Sequence, residues 1–243
     1  MDEPSGGAHR RPDQPRVELT AAERADLFAQ LAVSLHDSGG VEETVQAVVD
    51  FALQALRCSH AGVALSRAGK PEVPAATDPV VEEIFLWLMA GREGPLVVSM
   101  REHTTVLVRD TELDDRWPDW ASKVRSLGVR SVLDVPLTTA AGTVGVLGLY
   151  SVKPDAFDAD DQAIAQILAR HASVAVATAR KEETLALAID ARKLVGQAMG
   201  ILMERYQLDE ARAFEVLKRY SQDTNTKLRD VAQQLIETRK LPH

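Results

Sequence analysis

The spacing of hydrophobic positions changes along the chain, and each change predicts a new element. From Thr20 onward Leu27, Leu31 and Leu35 recur every four residues, which places them on one helical face. Thr20 followed by Glu23 has the spacing of a capping box and marks the start of this helix. A second helix is predicted over Val41 to Leu56, with Val45, Val48, Val49, Ala52 and Leu56 on its apolar side and Gly39-Gly40 breaking the chain before it. Short apolar runs bounded by turn residues come next, and His60 to Leu65, Leu96 to Met100 and Thr105 to Val108 read as strands. The clearest pair is Ser131 to Thr138 and Val144 to Tyr150, joined across Ala140 to Thr143 as an antiparallel hairpin. Pro136 has no N–H for a sheet ladder, so an irregular or edge position is expected there. From Asp158 the period is helical again, with Ile164, Ile167, Leu168 and Val174 on one stripe. No proline or glycine stands between Pro154 and Gly196, so one long helix is expected to connect the strand-containing part of the chain to its C-terminal end. The order of elements gives an α+β sandwich.

Three amphipathic helices can be placed from Ala188 to Leu241. The first runs from Arg192 to Tyr206 and buries Val195, Ala198, Met199 and Leu202. Asp209 caps the second, whose Ala213, Phe214 and Leu217 are expected to face inward. Thr224, Asn225 and Thr226 are expected to cap the third, with Leu228, Val231, Ala232, Leu235 and Ile236 as its stripe.

Size and charge change this picture in two places. A chain of 243 residues exceeds one ordinary domain and points to two units. The formal charge is −8, yet the stretch from Ala188 to His243 carries 10 Lys and Arg against 8 Asp and Glu, so the cationic end is the C-terminal one. Nucleic-acid contact is therefore permitted there and is disfavoured along the rest. Residues 1–18, with Pro4, Gly6, Gly7, Pro12 and Pro15, have no hydrophobic period and read as a flexible tail. A single cysteine, Cys58, excludes an intramolecular disulfide and a cysteine-rich metal site; it ends a predicted helix and is expected to pack in the core. Without a signal-like N-terminus or an apolar stretch of membrane-spanning length, the expected location is the cytoplasm.

Two stretches resemble known families. Ser131-Val-Leu-Asp-Val-Pro-Leu, a glycine turn, Val144-Gly-Val-Leu-Gly-Leu-Tyr150 and Phe157-Asp-Ala-Asp-Asp161 opening a helix are similar to the end of a GAF domain. The resemblance, covering roughly Thr20 to Ala179, implies a GAF-like central antiparallel sheet flanked by helices, with a small-molecule pocket on one face in many members. The Asn-Lys-Phe-Asp-Glu signature of the cyclic-nucleotide-binding members is absent, and no cysteine stands where a bilin attaches. The C-terminal stretch, Arg192-x-x-Val195-Gly-Gln-Ala-x-Gly200-Ile-Leu-Met203, then Glu210-Ala-x-Ala-Phe-x-x-Leu217-Lys-Arg, then Asp223 to Ala232, closely resembles an ANTAR domain. That resemblance implies a three-helix module that binds paired RNA stem-loops, keeps a terminator hairpin from forming, and acts as a homodimer. Met199 stands where many relatives carry lysine, which removes one phosphate contact. The expected division is a tail over 1–18, a GAF-type sensor over 19–179, a helical linker over 180–191 and an ANTAR domain over 192–243.

RNA loops present splayed bases with hydrogen-bonding edges and stacking faces, which cationic and amide side chains suit. Arg192, Lys193, Lys218, Arg219, Lys227 and Arg229 are candidates for phosphates or base edges, and Gln197, Gln222 and Thr226 for loop bases. Each of these taken alone also fits a solvated helix face, and Tyr220, which offers a stacking ring, equally fits the core. Trp117 and Trp120 are candidates for the mouth of a sensor pocket, with plain packing as the alternative. Asp110, Glu112, Asp114 and Asp115 read as a solvated acidic loop, because the EF-hand glycine and terminal glutamate are missing. The six histidines lack the spacings of a zinc site, and no phosphate-cradling glycine loop occurs, so neither an enzyme, a metal nor a cofactor is expected. In the joining helix Ile164, Leu168, Ala175, Leu185 and Ile189 sit near heptad spacing, interrupted by Thr178 and Glu182, which gives the expectation of an interrupted coiled coil. The alternative is that the helical tail docks on DNA or on a protein, since helix-turn-helix readers also use short amphipathic helices.

Overall fold

The computed structural model describes residues 20–67, 70–76 and 79–240. Residues 1–19, 68, 69, 77, 78 and 241–243, and with them the expected N-terminal tail, lie outside them. The chain divides into two compact units with the break between Ala179 and Arg180.

The first unit contains α1 (Ala21–Asp37), α2 (Val41–Ala55), β1 (His60–Arg67), β2 (Lys70–Ala76), α3 (Pro79–Met89), α4 (Pro95–Glu102), β3 (Val106–Val108), α5 (Pro118–Ser126), β4 (Ser131–Thr139) and β5 (Gly142–Ser151). α6 (Ala159–Tyr206) begins in this unit and ends in the second. The Thr20 capping box is present, with the Thr20 side chain accepting from the Glu23 amide and Glu23 accepting from the Thr20 amide at 2.7 Å. All pairings in the five-stranded sheet, ordered β2-β1-β5-β4-β3, are antiparallel.

Alternation along the strands divides the interior into two layers. Val63, Leu65, Leu133, Val135, Leu147 and Leu149 face α1, α2 and the start of α6, where Leu168, Ala172 and Val176 are buried. Ala64, Val132, Val146 and Tyr150 face the other way, onto Phe85 and Leu88 of α3, Leu96 of α4 and Trp120 and Val124 of α5. Pro136 pairs with Val146 of β5, while β3 pairs β4 only through residues 132–134. Its missing N–H therefore falls where β4 has no second partner among the described residues, as its chemistry requires.

Two expectations are corrected here. Leu96 to Met100 is not a strand but the body of α4, because Pro95 occupies the first turn after Gly94 and its fixed φ favours a helix start over the β preference of Leu-Val-Val. The third C-terminal helix is not capped by Thr224, Asn225 or Thr226. Thr224 is the C-cap of α7, Asn225 takes φ 49° in the left-handed region, and Lys227 precedes α8 (Leu228–Thr238) without a side-chain cap.

The second unit packs the end of α6, α7 (Glu210–Asp223) and α8 around Ala198, Leu202, Ala213, Leu217, Val231, Ala232 and Leu235. Asp209 caps α7, accepting from the Arg212 amide at 2.7 Å. Cys58 packs half-buried against the first layer and its thiol donates to the Ala52 carbonyl at 3.5 Å.

Candidate nucleic-acid interface and internal cavity

In the second unit the helical period brings Gly196 and Gly200 to one side of α6. Gly196 and Gly200 are exposed there, and a Cβ added to either would meet nothing within 4 Å. Next to them opens a groove of about 800 Å³ lined by Arg192, Val195, Gly196 and Met199 of α6, Glu210, Ala211 and Phe214 of α7, and Leu228 and Arg229 of α8, with Ala191 at its end. Phe214 is 38% exposed, so the expectation that it faces inward is corrected: Ala213 and Leu217 fill the core, and the ring forms part of the groove wall. The floor is thus apolar and the rim cationic, with Glu210 as the one acidic member.

The candidate RNA contacts fall into three groups. Arg192 and Arg229, far apart in sequence, meet at this groove. Lys193 and Gln197 are exposed on the same stretch of α6, and Lys227 is exposed one residue before α8. Lys218, Arg219 and Gln222 are exposed on the last turns of α7 and do not line the groove. Some cations already have acidic neighbours: Lys218 stands 3.5 Å from Glu215, Arg219 3.6 Å from Asp223 and Arg229 3.0 Å from Asp230. These are exposed pairs, which water screens and a phosphate can displace. Thr226 is half-buried, and its hydroxyl donates to the Thr224 carbonyl at 3.2 Å, so it holds the turn between α7 and α8. Tyr220 is half-buried against the core.

The first unit holds a smaller cavity of about 350 Å³, lined by apolar Ala64, Phe85, Leu88, Leu96, Val97 and Met100 with charged Arg92, Glu93 and Arg101 among its other members. Arg101 pairs with Glu93 at 3.3 Å, and the Arg92 guanidinium lies 3.8 Å from the centre of the Trp87 ring. Trp117 and Trp120 are not on its wall. Trp120 is 2% exposed inside the second layer, edge to face with half-buried Trp117 at 6.2 Å, and the Arg116 guanidinium covers Trp117 at 4.5 Å.

The acidic loop is ordered by arginines. Arg130 donates to both oxygens of Asp110, through Nε at 3.2 Å and Nη2 at 3.1 Å to Oδ1 and through Nη2 at 3.0 Å to Oδ2, and these bonds hold the Asp110 carboxyl below its ordinary range. Arg116 does the same for Asp114. The group that sequence reasoning did not single out is Asp134. It lies in the second layer, and burial drives its carboxyl, and the Tyr150 hydroxyl beside it, well above their usual ranges. Its signal was a charged residue between Leu133 and Val135 in a strand that is apolar on both faces.

Comparison with known proteins agrees with both units. The GAF domain family matches residues 40–176, and the ANTAR domain family matches residues 183–236. The chain is a GAF-ANTAR protein. Among curated relatives, the anaerobic nitric oxide reductase transcription regulator NorR of Citrobacter koseri is 23% identical over 162 residues, 66% of this chain and 32% of NorR. The NorR of Escherichia coli is 24% identical over the same span. The chain thus spans about a third of the length of the curated relatives it matches. Among solved structures, the GAF domain of a phosphoenolpyruvate-protein phosphotransferase from Coxiella burnetii aligns with TM-score 0.53 at 15% identity, covering 66% of this chain and 96% of that one. Free methionine-R-sulfoxide reductase from Neisseria meningitidis aligns with TM-score 0.53 at 17% identity over 72% of this chain and 99% of its own. At these identities the likeness is one of fold. Both matched domains of this GAF-ANTAR chain are regulatory types, and no described helix is long and apolar enough to cross a membrane.

Proposed function

We propose that this chain is a transcription antitermination regulator, in which the ANTAR module binds paired RNA stem-loops under control of the GAF sensor domain. The observation that carries the reading is the groove of the second unit, where Arg192 and Arg229 flank an apolar floor of Met199, Phe214 and Leu228 beside an exposed Gly196. A splayed loop base fits such a floor, and the guanidiniums suit the phosphates on either side of it. Lys193 and Lys227, exposed and without an ion pair among the described residues, extend the cationic rim. Lys218, Arg219 and Gln222 form a second patch for the flanking stem.

The chain acts as a homodimer in this reading, so that two modules meet two loops. Leu185, Leu187 and Ile189 are each more than half exposed in α6, and a second copy is the partner that would cover them. Neither domain works as an enzyme; the GAF domain takes a small molecule in its cavity and acts on the ANTAR module through α6. The test is binding of the full chain to a two-stem-loop RNA, to the same RNA with scrambled loops and to duplex DNA, at two salt concentrations. Loop-dependent binding supports the reading. Equal affinity for the scrambled RNA, or preference for the duplex, overturns it.

A further inference from the structure

The layer of the first unit that faces α3, α4 and α5 holds polar atoms with no hydrogen-bond partner among the described residues. Asp134 is 1% exposed in the middle of β4, opposite Gly148 of β5 and Val106 of β3, and neither of its oxygens has a hydrogen-bond partner. The hydroxyl of Tyr150, also 1% exposed, is in the same condition. So is the hydroxyl of Ser99, fully buried on α4, the helix that packs across β3, β4 and β5. Asp134 and Tyr150 converge: the point where a Gly148 Cβ would stand is 2.5 Å from the Tyr150 hydroxyl oxygen and 3.1 Å from Asp134 Oδ1. Buried polar groups are almost always satisfied, and a buried carboxylate without a counter-charge is the most unfavourable of them. Among the described residues no cation is paired with Asp134. β3 and β5 place Val106, Gly148 and Tyr150 there, while the charged residues of α4, Arg101 and Glu102, are exposed.

We propose that this layer is the binding site of a small primary amine, whose ammonium group is the missing partner of Asp134; this rests on the reading of the GAF domain as a sensor. An ammonium carries three N–H donors and no acceptor. The two carboxylate oxygens of Asp134 and the hydroxyl oxygen of Tyr150 offer acceptors for all three. A guanidinium would bring five donors and leave some unbonded, and an anion would be repelled by the carboxylate. A metal ion finds one carboxylate here, and the described residues hold no group of three His, Cys, Asp or Glu placed to bind one. The apolar body of the amine occupies the cavity of about 350 Å³ lined by Phe85, Leu88, Leu96 and Val97. Asp134 and Tyr150 are not on that wall; Phe85 and Leu96 belong both to it and to the layer of Tyr150, with the Phe85 ring edge-on to Tyr150 at 6.4 Å, and the head group meets Asp134 by displacing these two side chains. Empty, the site holds Asp134 protonated; the arriving ammonium ionises it, and the proton leaves to solvent.

The probes are hexylamine, hexan-1-ol and hexanoate, which share a body and differ in the head group, titrated calorimetrically into the full chain in two buffers of different ionisation enthalpy. Hexylamine is expected to bind at least about tenfold more tightly than the other two, the scale of a charge-assisted bond, with a buffer-dependent heat that reports proton release. Asp134→Asn is expected to abolish the preference for the amine. Tyr150→Phe, which keeps the ring packing, is expected to weaken hexylamine alone. Equal binding of amine and alcohol, or an amine preference that survives Asp134→Asn, overturns the proposal. Two-stem-loop RNA titrated with and without hexylamine separates the two readings. Amine binding that leaves RNA affinity unchanged supports the site and overturns its sensory coupling; absence of amine binding overturns the site whatever the RNA does.

Discussion

A Cβ on Gly148 would stand 2.5 Å from the hydroxyl oxygen of Tyr150, closer than two such atoms can approach. Tyr150 cannot swing aside, because its ring is fully buried between the sheet and Phe85. Gly148→Ala is therefore expected to destabilise the first unit by about 1–3 kcal/mol, the range for overpacking a filled core. Gly200→Ala is the opposite case. Its Cβ meets nothing within 4 Å, and alanine is preferred over glycine inside a helix by about 1 kcal/mol, so the second unit should gain stability. Urea denaturation distinguishes the units, since Trp87, Trp117 and Trp120 all report the first and far-ultraviolet circular dichroism reports both.

Asp134 has a definite effect on pH dependence. Burial raises its carboxyl well above 3.8, so between that value and its folded value the native state holds a proton that the unfolded chain has released. Stability then falls as pH rises through this window. Asp134→Asn removes the titration while keeping the shape, and the variant is expected to gain on the parent progressively as pH rises above 4. Parallel urea curves for parent and variant across that range would sink this account.

Asp110 has the opposite sign. Its bonds from Arg130 and the Glu112 amide hold the carboxyl below 3.8, so its contribution is present above that value and is lost as pH falls through the lower folded value. Asp110→Asn is expected to lower stability at neutral pH, and the difference from the parent should vanish in acid. A difference that persists at pH 2 would mean that the loop is held by packing instead.

Much of this fold was legible in the sequence where one face of an element is buried. The stripes of α1, α2, α7 and α8, the capping box at Thr20 and the hairpin of β4 and β5 come from period and turn chemistry alone. Legibility failed where tertiary context outweighs local preference. Leu96-Val-Val has strand chemistry, yet Pro95 starts a helix there. β2 is not among the expected strands, because Pro71 and Pro74 hide its pattern, although an edge strand tolerates them. The candidate groove was half legible: Arg192 and Arg229 were chosen as cations, but only folding brings them to one rim and turns Phe214 outward. Asp134 stood in view within a family pattern, and its isolation became visible only with the neighbours that fail to bond it.

The exposed apolar stretch of α6 predicts an oligomeric state. Leu185 and Ile189 are one helical turn apart, 59% and 58% exposed. Leu185→Asp with Ile189→Asp is expected to give a monomer by light scattering, with the helical content of the chain kept. RNA carrying two loops should then bind more weakly, while a single-loop RNA is held as by the parent, because only the two-loop RNA draws on a linked second site. A parent that is already monomeric at micromolar concentration would refute the dimer.

The groove of the second unit gives the most direct prediction, since phosphate contacts register in salt dependence. Arg192→Ala and Arg229→Ala are each expected to reduce affinity for the two-stem-loop RNA at low salt. If each side chain meets one phosphate, the slope of log affinity against log salt should become shallower by about 0.7 per substitution, the single-strand value. Phe214→Ala removes no charge and should weaken loop-dependent binding with the slope unchanged, because stacking releases no counterions. Lys153→Ala, exposed on the first unit, is the control and should alter neither quantity. Loss of affinity in all four variants alike would mean that the acidic chain holds RNA by diffuse charge. Loss confined to the groove, with the charged and aromatic positions separated by salt slope, would establish where the loop sits and which side chains meet its backbone.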